Sequence, residues 1–217
     1  LVFSRTAGFR HGSIPAGIEA LRGLGAARGF GVDATEDPDA FTDATLARYR
    51  VVVFLNTTGD VLDDVQQGAF ERFIRAGGGY VGVHAAADTE YDWPWYGGLV
   101  AGYFNGHPRI QPATIDVEDA AHPSTRHLPG RWDRTDEWYN YRESPRERPR
   151  VRVLMRLDPT SYEGSTMPDD HPIAWCQAYD GGRAWYTGGG HTDESYSEPA
   201  FVAHLLGGIR WAAGLDD

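Results

Sequence analysis

"GGGYVGVHAAADT", residues Gly77 to Thr89, decides the fold. Its three glycines end whatever helix precedes them. "YVGVH" then reads as a short buried strand, and three alanines after His84 leave room for a sharp turn. A strand, a tight turn and small flanking residues are how an α/β enzyme lifts one side chain at the carboxyl edge of its sheet. Here the lifted group is an imidazole, which suits a general base or a metal ligand, since its ordinary pKa lies near 6.5.

Working outward, "RVVVFLNTTGD" (Arg50 to Asp60) is a continuous apolar strand ending in small polar residues. Asp63 and Asp64 precede a predicted helix with Val65, Ala69, Phe73 and Ile74 on one face. "LVFS" at the start and "GFGVDAT" (Gly29 to Thr35) read as two further strands. Between them Ser13 is predicted to cap a helix with Pro15 in its first turn and Ile14, Ile18, Leu21 and Leu24 at helical spacing. Apolar strands alternating with amphipathic helices predict a mostly parallel sheet covered on both faces, a three-layer α/β sandwich. Ligands of such sheets bind beyond the carboxyl ends of the strands. Ser4–Thr6, Asn56–Thr58 and His84 with its loop all fall there.

The second half changes character. "RIQPATIDVED", "DRTDEWYNYRE" and "RVRVLMRLD" read as strands of an antiparallel extension. "HPIAWCQAYDGGRAWYTGGGHT" reads as a hairpin, and Glu198 to Gly214 as a closing helix with Phe201, Leu205, Ile209 and Ala212 inward. One domain over residues 1–217 is the economical organisation. The chain starts inside a predicted strand, which fits excision from a longer protein.

Composition removes several function classes. All 20 basic residues are arginine and the net charge is −11, so a lysine Schiff base and a phosphate-loop lysine are excluded and no nucleic-acid partner is expected. No apolar run approaches the ~20 residues of a membrane span, so no membrane partner is expected. The single cysteine, Cys176, lies mid-strand and reads as a buried spectator. The compartment stays open between the cytoplasm and export within a larger protein.

The chemistry-bearing candidates are dispersed. His84 sits at its strand end; His191 follows three glycines in "TGGGHTDESY"; Asp136 and Glu137 stand side by side among the aromatics of "RTDEWYNY". Strand alternation predicts that the two carboxylates point to opposite faces, Glu137 sharing one with Tyr139, and Asp136 the other with Trp138. His84, His191, Glu137 and Asp136 are the candidate catalytic residues. Arg10, His11, Asp88, Trp93, His107, Trp138 and Tyr139 are the candidate substrate contacts, aromatic faces for sugar C–H groups and polar ones for hydroxyls. His84, His107, His191 and one of the two acids would make a set for zinc or another divalent metal, but no close histidine pair enforces it. His171 reads as structural; His122, His127 and His204 as surface or core residues.

"TAGFRHGSIP", "GGGYVGVHAAADT", "YFNGHP", "DEWYN", "HPIAW" and "GRAWYTGGGHT" in this order resemble the ThuA-like (trehalose-utilisation) family over nearly the whole chain. The resemblance implies a flavodoxin-like fold of the class I glutamine-amidotransferase superfamily, with His84 where those enzymes hold their cysteine, and hence no glutaminase activity. It also implies sugar catabolism alongside a partner oxidoreductase that forms 3-keto sugars. The function expected is cleavage of an oxidised (3-keto) glycoside: His84 or His191 removes the C2 proton, Arg10, a histidine or a bound metal steadies the enolate, and Glu137 or Asp136 protonates the leaving oxygen. The alternative is a non-catalytic module that binds sugar or organises a partner enzyme.

Overall fold

The computed structural model describes residues 1–167 and 169–216. The elements run β1 (Val2–Phe3), α1 (Ile14–Arg28), β2 (Ala34–Thr35), α2 (Asp43–Leu46), β3 (Val51–Leu55), α3 (Asp64–Arg75), β4 (Gly79–Val83), α4 (Pro94–Val100), β5 (Gln111–Val117), β6 (Arg131–Asp136), β7 (Arg152–Leu157), β8 (His171–Tyr179), β9 (Gly182–Thr187) and α5 (Pro199–Ala212). They build a nine-stranded sheet in the order β2-β1-β3-β4-β9-β8-β7-β5-β6. The pairs from β2 through β9 are parallel, and those from β9 to β6 antiparallel. The expected parallel sheet with its antiparallel extension is therefore present, with β9 joining the two halves.

Both faces of the parallel half are covered. On one, Phe54, Tyr80, Phe70 of α3 and Tyr96 of α4 pack ring against ring, with centroids 5.4–5.5 Å apart around Phe54. Such pairs add about 0.5–1.5 kcal/mol each beyond the area they bury. On the other, Leu55 meets Gly17 of α1, and Trp185 lies against Gly208 of α5 so closely that a Cβ there would sit 2.4 Å from the indole. Tyr80 and Tyr96 also share a hydroxyl pair at 2.8 Å, and Tyr96 donates to the Ala86 carbonyl at 2.8 Å, which pins the turn after His84 to α4.

Four local expectations change. Ser13 occupies the position before α1 but does not cap it; its hydroxyl donates instead to the Gly190 carbonyl. The cap of α3 is Asp63, in a reciprocal box with Gln66. That helix turns Ala69, Phe70 and Ile74 inward and leaves Val65 77% exposed, because the aromatic cluster selects Phe70 rather than Phe73. Strand β2 shortens to two residues at the sheet edge. Strand β6 ends at Asp136, so alternation stops one residue before Glu137. The hairpin turn has positive φ at both Asp180 and Gly181, as a tight two-residue connection requires.

The arginine-rich stretch from 142 to 156 is a loop leading into β7, and several of its cations are paired: Arg146 with Asp170 and Glu118, Arg156 with Asp116, Arg148 with Glu143. Cys176 is 1% exposed, and burial pushes its thiol up to about 12. Among the described residues no helix is long and apolar enough to cross a membrane.

His171 and His204 lie fully inside, donating a ring N–H to the Tyr139 and Ser124 carbonyls respectively. Burial lowers His171 to about 4 and His204 to about 3. Depressed imidazoles add stability above their unfolded value near 6.5 and lose it as pH falls toward 4. Glu90 acts oppositely: burial raises it to about 7, so its cost is relieved on acidification. Denaturant unfolding at pH 7, 6 and 5 should show stability falling with pH, by about 2 kcal/mol between pH 7 and 5 for each histidine shifted this far. A Glu90→Gln variant should fall more steeply. A flat profile in both would contradict these assignments.

Candidate active site at the carboxyl ends of the parallel strands

Strands β4 and β9 run parallel with Val83 opposite Thr187, so the chain leaves both at the same level. His84, the next residue, has φ +48, a left-handed conformation that a side chain rarely adopts and that marks a held turn. Asn56, at the end of β3, does the same with φ +52, and its amide nitrogen donates to the Gly190 carbonyl at 3.2 Å. Two bonds fix the His84 turn. Its Nδ1 lies 2.8 Å from the Gly188 carbonyl, and its own carbonyl accepts from Tyr186 Oη at 2.8 Å. A carbonyl only accepts, so Nδ1 carries the proton, and in the neutral ring Nε2 offers a bare lone pair.

The three glycines after β9 have a steric reason. A Cβ on Gly189 would lie 2.5 Å from Arg134 Nη1, and one on Gly190, where φ is +108, 2.8 Å from Tyr196 Oη. The loop runs this close because Asp136, fully buried at the end of β6, gathers it. One carboxylate oxygen accepts from Gly190 N at 2.8 Å, Arg134 Nη1 at 2.9 Å and Ser195 Oγ at 3.1 Å. The other accepts from Glu137 N at 2.9 Å and His191 N at 3.1 Å. Its lone pairs are consumed, so Asp136 is a positioning residue.

The outcome is a cluster. Glu137 Oε2 lies 3.1 Å from His191 Nδ1 and 3.4 Å from His84 Nε2, and those two nitrogens are 3.2 Å apart. His107 Nδ1 reaches the other oxygen, Oε1, at 3.1 Å. His11, 3% exposed, closes the group edge-on, its ring centroid 5.1 Å from His84 and 5.0 Å from His191. Tyr139 floors it, 4.0 Å from the His84 ring. Burial alone would raise the Glu137 pKa, but the His191 hydrogen bond and the electrostatic pull of the flanking imidazoles outweigh it and hold the carboxyl well below the usual carboxylate range. Burial lowers His191, and Glu137 more than restores it, leaving it raised. Burial, with the neighbouring His84 and His191, drops His11 to about 3.

Most of the dispersed candidates thus meet: His84, His191, Glu137, His11, His107 and Tyr139 at the cluster, Asp136 directly behind it. Three do not. Arg10 is half exposed and paired with Glu36 at 2.6 Å. Trp93 donates to Glu71 and stacks on Trp95, on the α3 side. Trp138 is fully buried and donates to the Gln111 carbonyl. Asp88 lies at the rim, accepting from Tyr91 Oη at 2.6 Å. Hydrogen bonds engage both Asp136 oxygens, and the imidazoles hold the Glu137 carboxyl low, an arrangement that favours accepting over donating at both acids. The reason is the company of imidazoles, which a strand-alternation argument does not contain. Arg134 and Ser195, which hold Asp136, went unremarked; the i, i+2 spacing of "RTD" on one strand was their only signal. A cavity of about 440 Å³ beside Leu1, Tyr49 and Val51 opens at the amino ends of β1 and β3, the opposite end from the histidines.

The family model described as ThuA, trehalose utilisation, matches residues 1–212. A ThuA-like protein from Bacteroides uniformis is similar in structure over 100% of this chain and 92% of its own, with TM-score 0.83 and 28% identity. One from Parabacteroides merdae matches 98% of this chain and 89% of its own at TM-score 0.75 and 19% identity. A β-galactosidase from Bacillus circulans shares the fold over 99% of this chain and 31% of its own, at TM-score 0.61 and 12% identity. No curated protein sequence matches. The chain therefore belongs to the ThuA family, which is implicated in trehalose utilisation and so in sugar metabolism.

Proposed function

We propose that this protein is a carbohydrate-active enzyme that cleaves an oxidised (3-keto) glycoside by proton transfer at the histidine cluster. One observation carries the reading: a single carboxylate, Glu137, faces His84 and His191 with one oxygen and His107 with the other. His107 is the member whose ring opens outward, its side chain 42% exposed. Its Nδ1 lies between Glu137 Oε1 at 3.1 Å and the Pro108 carbonyl at 2.9 Å. Both are acceptors, so Nδ1 holds the proton and Nε2 is free as a base, turned outward by the same pairing that holds the ring.

A ketone at C3 of a sugar makes the C2 proton acidic. His107 takes that proton as the C2–H bond breaks, and the electron pair moves onto the ketone oxygen as an enolate. The enolate collapses, the C1–O bond breaks, and the leaving oxygen receives the proton from His107. Water then adds across the resulting C1–C2 double bond, completing net hydrolysis with no oxidant consumed. Direct hydrolysis by two carboxylates fits less well, since only Glu137 is available and it is ionised. The ketone itself would be supplied beforehand by an oxidoreductase, which makes such an enzyme the expected partner; a keto-sugar is the expected substrate.

His107→Ala should lower kcat on 3-keto-trehalose by about 10²–10⁴ with little change in KM. Solvent deuterium should enter C2 with the native enzyme. Asp136→Asn should act differently, lowering thermal stability by about 2 kcal/mol as well as kcat, because the buried Arg134 and the Gly190–His191 loop lose a charged acceptor while Glu198 stays paired with Arg134. Native protein that leaves 3-keto-trehalose intact yet binds it, with affinity indifferent to His107, would favour the sugar-binding module instead.

A further inference from the structure

We infer that His11, His84, His191 and Glu137 form a binding site for one divalent cation of the zinc class. The four offer three imidazole nitrogens and one carboxylate oxygen, all within 4.8 Å of one another. A zinc ion bound at about 2.0–2.1 Å in a tetrahedral site separates its ligand atoms by about 3.3–3.4 Å. The measured separations among Glu137 Oε2, His191 Nδ1 and His84 Nε2 are 3.1, 3.2 and 3.4 Å, three edges of such a tetrahedron. His11 supplies the fourth corner.

Two further observations point to a ligand. The His11 side chain is buried, yet its Nδ1 makes no hydrogen bond and its Nε2 has only a long 3.5 Å approach to Tyr139 Oη. And the surrounding bonds orient the set as metal ligands are oriented. The Gly188 carbonyl takes the Nδ1 proton of His84, leaving Nε2 to face inward. Asp136 holds the His191 backbone, and His107 holds the outer oxygen of Glu137. Without a cation, three imidazoles would crowd together around one negative charge. With one, their lone pairs have a common target. Nitrogen-rich donors favour zinc, cobalt, nickel or iron over magnesium or calcium. The inference goes beyond the reaction proposed above and does not rest on it, since it is scored without substrate. If both hold, the cation would lie where the enolate charge develops, and His107 would remain free to move the proton.

The test uses the full chain, stripped with chelator and titrated with Zn²⁺ by calorimetry and with Co²⁺ by visible absorption. One equivalent should bind, with the intense bands of four-coordinate cobalt. His191→Ala and Glu137→Gln, each checked for folding by far-UV circular dichroism, should weaken binding by more than 100-fold, above the 10–100-fold typical of outer-sphere partners. His127→Ala, at an exposed ring that meets the Ala200 carbonyl, should leave it unchanged. Should a variant fail to fold, proton spectra of the native cobalt form decide: imidazole signals shifted by the metal should come from three histidines. Absence of stoichiometric binding, undiminished affinity in either folded variant, or shifted signals from one histidine or none would overturn the inference. Loss of sugar cleavage alone would bear only on the reaction.

Discussion

The parallel register between β4 and β9 is the constraint from which the rest follows. Val83 and Thr187, 104 residues apart in the chain, lie opposite one another, so both segments leave the sheet together. His84 can then hand its Nδ1 proton to Gly188, and the three-glycine loop can bring His191 back over the same ring. A slip of one residue would turn every side chain of one strand to the other face and separate the two imidazoles. Burial guards that register. Tyr80 and Tyr186 face one helical layer and Trp185 the other, and neither layer accepts the exchange.

The antiparallel half contributes the negative charge. Strand β6 delivers two neighbouring acids into one neighbourhood because the strand stops between them. Asp136 spends its lone pairs on backbone and on Arg134, which fixes the loop. Glu137, freed from strand alternation, turns to the imidazoles. Two adjacent carboxylates thereby take separate roles, one mechanical and one electrostatic, through environment alone. The electrostatic cost of burying Glu137 is offset by its bonds to His191 and His107 and by the surrounding imidazoles. The depression of its pKa, despite burial, records which effect wins.

Much of this was legible in the residues. The alternation of apolar runs with amphipathic helices, the Asp-Gly turn of the β8–β9 hairpin and the small residues around His84 are local signals, and local signals translate reliably into elements. The mostly parallel sheet with its antiparallel extension followed from them, and they singled out His84 and His191 as candidates. What was not legible was distance between segments far apart in sequence. Nothing local says that His11, rather than His107, completes the inner group, or that Arg10 turns away to Glu36. The aromatic faces of Trp93 and Trp138 suggested a sugar-facing surface, but both rings are buried and both indole N–H groups are satisfied inside the molecule. The end of β6 at Asp136 was similarly hidden, since "DEWYN" has the composition of a strand, and only tertiary contacts end it.

Anomalous diffraction from crystals grown with Zn²⁺, collected on both sides of the zinc absorption edge, tests the convergence most directly. The expected map has one strong peak about 2.0–2.1 Å from His84 Nε2, His191 Nδ1 and Glu137 Oε2, with His11 closing the shell. A map in which these atoms lie apart, or in which the only zinc peaks sit on exposed side chains elsewhere, would contradict it.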